Sequence, residues 1–202
     1  MTTTKRGRPR SFDRDAALLQ PTLLFWQHGY EGTSVSDLTA AMGISPPSLY
    51  AAFGDKRTLF VEVVDRYGDT FGAFMNKALD DASDTRTGFA GMLEAAAVSY
   101  TDPHHPAGCL VITAATNYST QTADIKEDLR ERRVANVRSF EGRLNTARAG
   151  GALPEGTDTR ALAVYFAAVV QGMSQQARDG ATTAELQQVA EFAMAIWPEP
   201  AP

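Results

Sequence analysis

A single cysteine, Cys109, and three histidines are all that 202 residues offer in soft or imidazole ligands. One thiol cannot close an internal disulfide and excludes zinc sites that need two or more thiolates, which fits a reducing compartment. Long hydrophobic runs are missing as well. No stretch approaches the ~18 uninterrupted apolar residues of a membrane span, and the polar, basic start from Met1 to Arg10 lacks the apolar segment of a secretory signal. The expected location is therefore the cytoplasm, with no membrane partner. Alternating polar and apolar runs of strand type are nearly absent, leaving an all-α reading. Nucleophile elbow, phosphate-binding glycine loop, dinucleotide fingerprint and helically spaced histidine pairs are also lacking, so no catalytic residue, cofactor or metal is assigned.

What is present is an ordinary globular balance, 44% hydrophobic and 21% charged, in a chain long enough to bury a core without covalent staples. The net charge of −5 conceals an asymmetry. Residues 1–57 carry seven Lys and Arg against five Asp and Glu, whereas residues 58–202 carry twelve against nineteen. Four of the cations fall in Lys5-Arg6-Gly7-Arg8-Pro9-Arg10, a short basic arm of the kind that reaches phosphates or a minor groove, or else a solvated tail.

Helix signals follow one another along the chain. From Phe12 to Gly29, Ala16, Leu19, Leu23, Trp26 and Tyr30 recur at steps of three and four, with Pro21 predicting a kink or a late start. Ser34 and Asp37 are spaced as a capping box before Val35, Leu38 and Met42, and Gly43 is a left-handed stop. Ser45 caps a second short helix with Pro46 at its first position and Gly54 at its end. Two short helices joined by a glycine-containing turn make a helix-turn-helix. Asp55 opens a longer helix that is expected to run through Phe71. Later helices are expected at about 86–100, 108–118, 123–149, 158–178 and 183–197, forming one bundle rather than a solenoid.

The second short helix carries the chemistry. Ser45, Pro46, Pro47, Ser48 and Tyr50 crowd its first turns with small or hydrogen-bonding side chains and no acid, so its positive N-terminal end can approach phosphates and enter a major groove. Lys56 and the hydroxyls of Thr33 and Ser34 are placed to hold flanking phosphates, and Arg8 and Arg10 extend the basic surface.

The run from Arg8-Pro9-Arg10 through Leu24-Phe25-Trp26-Gln27-His28-Gly29-Tyr30-Glu31-Gly32-Thr33-Ser34 to Met42-Gly43-Ile44-Ser45-Pro46-Pro47-Ser48-Leu49-Tyr50-Ala51-Ala52-Phe53-Gly54-Asp55-Lys56 resembles the DNA-binding region of TetR-family transcriptional regulators over about the first third of the chain. The resemblance implies a dimeric repressor released from a near-palindromic operator on double-stranded DNA by a small-molecule inducer. It also implies DNA-contacting roles for Thr33, Ser34, the helix from Ser45 to Phe53 with Tyr50, and Lys56. Pro21 departs from the family's usual first helix. The implied organisation is a flexible arm over 1–11, a three-helix DNA-binding domain over 12–72 with its motif at about 35–54, and a ligand-binding and dimerisation bundle over 73–198.

The C-terminal part names no ligand. Apolar and aromatic residues Phe74, Met92, Tyr100, Tyr118, Tyr165 and Met173 are candidates for a cavity lining or for plain core. Family dimers pair through their last two helices, which here carry Leu162, Phe166, Val169, Val189, Ala193 and Ile196. Cys109 is a candidate thiol sensor if the start of a helix lowers its pKa, and a small buried hydrophobe otherwise. His104 and His105 read as loop polarity. The competing functions are a helical-bundle enzyme or small-molecule carrier, and an activator using the same DNA-binding head.

Overall fold

A computed structural model describes residues 14–198, and every regular element among them is helical. The basic arm, with Arg8 and Arg10, lies outside the described residues. α1 (Arg14–His28) carries Pro21 within it, so the expected late start is not found. The proline removes the donor that would have met the Ala17 carbonyl, while Thr22 next to it is buried and its hydroxyl donates to the Leu18 carbonyl at 2.7 Å. The buried face keeps Trp26 and Tyr30 of the expected stripe but not its start. Leu18, Thr22, Phe25 and Trp26 face inward, whereas Ala16 is exposed and Leu19 is 45% exposed. A segment as apolar as Ala16–Trp26 admits more than one stripe at helical spacing.

The next three helices follow their caps. α2 (Val35–Met42) opens with the Ser34 hydroxyl accepting the Asp37 N–H at 3.1 Å and the Asp37 carboxylate accepting the Ser34 N–H at 2.8 Å. It ends at Gly43, whose φ of +65° is the left-handed stop that favours glycine. α3 (Pro46–Phe53) begins after Ser45, whose hydroxyl accepts the Ser48 N–H at 3.3 Å. α4 (Lys56–Asp69) begins where Asp55 accepts the Thr58 N–H at 2.6 Å. It stops short of the expected Phe71. The Gly72 N–H turns back onto the Tyr67 carbonyl at 2.8 Å, and a helix that the sequence did not announce, α5 (Phe74–Asp81), follows.

The remaining elements are α6 (Thr85–Tyr100), α7 (Leu110–Thr113), a 3-10 turn (Thr120–Thr122), α8 (Ala123–Ala149), α9 (Thr159–Arg178) and α10 (Thr183–Met194). α7 is far shorter than the expected 108–118. The Ala114 carbonyl, which a longer helix would have offered to Tyr118, instead accepts the Tyr30 N–H at 2.8 Å. α10 ends before Trp197, whose N–H bonds the Met194 carbonyl at 3.1 Å. Its ring lies 5.6 Å from Phe89 and 5.8 Å from Phe166.

Two cores result. In the head, α1 packs on α2 and α4, and Phe25 meets Phe60 edge to face at 5.0 Å. In the bundle, α6 packs on α5, α9 and α10, and α8 packs on α9. There Phe89 touches Phe140 at 5.4 Å and Phe166 at 4.8 Å.

The head is fastened to the bundle at several points. Besides the Tyr30–Ala114 bond, the Glu31 carboxylate accepts the Ser119 N–H at 3.1 Å and the Thr122 hydroxyl, Arg57 pairs with Asp124, and the Arg178 guanidinium donates to the Trp26 carbonyl at 3.3 Å. His105 stacks on Trp26 with ring centres 4.5 Å apart and its side chain 7% exposed, so it is a wedge between the two parts rather than loop polarity. The turn leading to α7 is pinned on α9. Gly108 has φ +78° there, and a Cβ on it would stand 2.6 Å from the Ser174 carbonyl oxygen. No helix among the described residues is long and apolar enough to cross a membrane, and none of them form a group of three or more His, Cys, Asp or Glu able to hold a metal ion.

Candidate nucleic-acid interface and effector cavity

α3 is amphipathic in a way that decides its use. Leu49 and Phe53 are buried and anchor it to the head, while Ser45, Pro46, Pro47, Ser48 and Ala51 are exposed and Tyr50 is 50% exposed. No acid lies in its first turn. The hydroxyls of Ser45 and Ser48 are 2.9 Å apart, an exposed hydroxyl pair at the positive end of the helix. The Tyr50 hydroxyl has no hydrogen-bond partner among the described residues, leaving it available to a base edge or a phosphate.

Lys56, at the start of α4, is half-buried with its ammonium 4.1 Å from the centre of the Tyr30 ring. Burial pulls its pKa below the usual lysine value, and Glu31 and Asp37 act in the opposite direction. The α2 start differs from expectation. Thr33 is 1% exposed and its hydroxyl donates to the Gly29 carbonyl at 2.8 Å, so that hydroxyl is not offered to a phosphate. Ser34 is exposed, but its hydroxyl is engaged with Asp37 at 2.6 Å. Hydrogen bonds from the Ser34 hydroxyl and backbone hold the Asp37 carboxyl below the usual range. The structure therefore brings Ser45, Pro46, Pro47, Ser48 and Tyr50 together on α3, with Ser34 and Lys56 flanking, and removes Thr33.

The bundle holds a cavity of about 240 Å³ between α4, α5, α6, the turn before α7, and α8. Of the expected lining residues, Phe74 and Tyr100 are there. Met92 and Met173 are fully buried core, Tyr165 lines a shallow surface groove, and Tyr118 is 46% exposed with the Lys126 ammonium 4.2 Å from its ring centre. The residues that spacing did not single out are Tyr67 and Gly68 from α4, Met75 from α5, and Arg132 and Asn136 from α8. They belong to separate elements, and nothing local in the sequence joins them.

Cys109 forms part of this wall, 7% exposed. It stands at the start of α7, but that helix has only four residues, and burial pushes the thiol pKa up rather than down. The activating helix-terminus effect expected of a sensor is thus outweighed, and the group stays a neutral thiol facing the hydroxyls of Tyr67 and Tyr100.

A second surface lies on α9, α10 and the residues that follow α10. Leu162, Phe166 and Ala193 of the expected pairing set are buried within the chain, Val169 is partly buried, and Val189 and Ile196 are 38% and 51% exposed. The outward stripe is instead Val164 and Ala168 on α9 with Val189, Phe192 and Ile196 at the end of the chain. Phe192, at 69% exposed, is the largest apolar side chain left in water among the described residues.

Comparison with known proteins agrees with both halves. Residues 23–63 match the family model described as bacterial regulatory proteins, tetR family, and residues 89–193 match that described as tetracyclin repressor-like, C-terminal domain. The chain is 40% identical over 195 residues to the HTH-type transcriptional repressor ComR of Escherichia coli strain K12, covering 96% of this chain and 93% of the relative. It is 29% identical to the repressor BdcR of the same strain, covering 89% and 86%. A cysteine-substituted variant of the regulator CifR, solved in complex with 26-bp double-strand operator DNA, superposes with a TM-score of 0.90 at 40% identity, over 95% of this chain and all of that one.

Proposed function

The chain belongs to the TetR family of transcriptional regulators, and we propose that it acts as a dimeric repressor whose grip on a near-palindromic operator is released by a small molecule in the bundle cavity. It is a sequence-specific DNA-binding protein and not an enzyme. The relatives named as repressors favour repression over activation. We place it in the cytoplasm, with the DNA it reads.

The observation that carries the ligand control is the position of α4. Its first residue, Lys56, lies beside the reading helix, while Val64, Tyr67 and Gly68 near its other end form part of the cavity wall. A rigid helix of 14 residues spans ~20 Å. A ligand that moves the cavity end therefore moves the head, and affinity for DNA changes by the difference in ligand binding between the two arrangements. Pairing through Phe192 and its neighbours sets the separation of the two reading helices, so the operator has two half-sites related by a twofold axis.

The direct test is binding of the purified chain to DNA fragments flanking its own gene across a range of salt, with protomers per site counted in the shifted complex. Two or more protomers on a tight, specific site is the expected result, and only weak, sequence-blind binding lost at moderate salt would refute the proposal. Within that assay the two head residues separate. Tyr50→Ala is expected to lower specific affinity by about 1–3 kcal/mol while non-specific binding and helical content stay as they are. Lys56→Ala is expected to weaken all sequences alike and to make the slope of log affinity against log salt shallower by about 1, whereas a sequence-selective loss would assign it to base reading.

A further inference from the structure

The cavity wall shows an imbalance of donors and acceptors. Tyr67 and Tyr100 are both buried, yet neither phenol donates to an oxygen or nitrogen among the described residues. The Tyr100 hydroxyl points at the Met75 sulfur at 4.0 Å, and both hydroxyls face the Cys109 thiol. Sulfur is a weak acceptor, so the protein leaves two strong O–H donors poorly matched at the cavity wall. Charge is balanced by contrast. The cationic group on this wall, Arg132, is paired with Asp65 at 2.8 Å and Asp128 at 2.9 Å. Arg133 lines an adjoining pocket that shares Tyr100, Cys109 and Val111 with this cavity, and there it donates to the Val111 carbonyl at 2.8 Å. Val64, Phe74, Met75, Val111 and Phe140 supply the apolar part of the wall, and Asn76, Asn136 and Ser139 add neutral polar groups.

We propose that this cavity takes an uncharged, compact and largely apolar molecule bearing one exposed oxygen acceptor of the carbonyl or ether class, held by the hydroxyls of Tyr67 and Tyr100. Burial holds both phenols well above the ordinary tyrosine pKa and the thiol above its own, so all three groups stay neutral and the phenols stay donors. An oxygen acceptor replaces sulfur as their partner and gains a better hydrogen bond with each. An anion would lose its hydration, and Arg132, the cation lining this cavity, is already committed to two carboxylates. The volume, about eight times the ~30 Å³ share of a liquid water, fits a single substituted ring.

The proposal rests on the reading of this cavity as the effector site, and the test separates the two. Acetophenone, ethylbenzene and benzoate share a ring and differ in acceptor and charge. Calorimetric titration into the full-length dimer is expected to give saturable binding of acetophenone, with ethylbenzene and benzoate each at least about fivefold weaker. Tyr67→Phe and Tyr100→Phe keep the ring and remove the hydroxyl, and each is expected to lower acetophenone affinity about five- to tenfold while leaving ethylbenzene unchanged. Failure of acetophenone to bind, equal binding of ethylbenzene, or tightest binding of benzoate overturns the proposal, and the first comparison needs no variant to fold. Operator affinity is measured in parallel. Acetophenone binding that obeys the tyrosines but leaves operator affinity unchanged upholds the ligand chemistry and overturns the effector reading.

Discussion

Replacing Phe192 with glutamate is expected to convert the dimer to monomers and to lower operator affinity by about 10²–10⁴-fold, with the helical signal of each chain retained. Phe192 is 69% exposed and sits with Ile196, Val189 and Val164 on one outward face. Burying a side chain of this kind stabilises an interface by ~1.5–3 kcal/mol, and a twofold axis applies the change twice. The glutamate would also place two carboxylates in the buried patch, a cost that an apolar replacement does not carry. Without pairing, the second half-site is no longer presented at a high effective concentration, which sets the size of the affinity loss. Sedimentation against concentration and mobility shift on one operator fragment check the two halves of this expectation. A variant that remains dimeric would show that the chains pair elsewhere.

Gly108→Ala is expected to destabilise the chain by about 2–6 kcal/mol, summing a left-handed backbone at ~1–3 kcal/mol with overpacking of similar size. The added methyl has nowhere to go. It would lie 2.6 Å from the Ser174 carbonyl oxygen and 2.9 Å from the Ser174 hydroxyl oxygen, and the latter accepts the Cys109 N–H at 2.9 Å. Relief by moving the turn would break that bond and the one from the Gly108 N–H to the Tyr100 carbonyl, also 2.9 Å. At ~2–4 °C per kcal/mol for a chain of this size, the thermal midpoint should fall by about 4–24 °C. A shift of less than about 2 °C would mean that the turn relaxes without cost. Gly43→Ala serves as the comparison, since it also has a positive φ but no atom within 4 Å of the new carbon, so only the backbone contribution remains.

These two sites differ in how visible they are before folding. The caps of α2, α3 and α4 were legible because a capping box, a proline at the first helical position or an aspartate three residues before the N–H it accepts is local chemistry. The three helices of the head that follow α1 can be drawn from them. α1 was misread because its apolar residues surround the helix, and only packing against α2 and α4 selects Leu18 and Phe25 over Leu19. α7 was overextended because the Tyr30 N–H that takes the Ala114 carbonyl comes from more than eighty positions away. The same reason hid the pairing face and the cavity. Phe166 and Phe192 are equally apolar in sequence, and the fold alone buries one and exposes the other. Tyr67, Tyr100 and Cys109 meet only after three separate segments have packed.

The fastenings between head and bundle bear on modularity. Glu31 accepts from Ser119 and Thr122, Arg57 pairs with Asp124, and the Tyr30 N–H requires a carbonyl at Ala114. A recombinant chimera that exchanged residues up to Asp69 for the head of another regulator would preserve the reading surface and lose its mounting. To keep both specificity and response, the graft has to carry the 114–124 strip with it, so the functional cassette is discontinuous in the gene although the domains are consecutive in the chain.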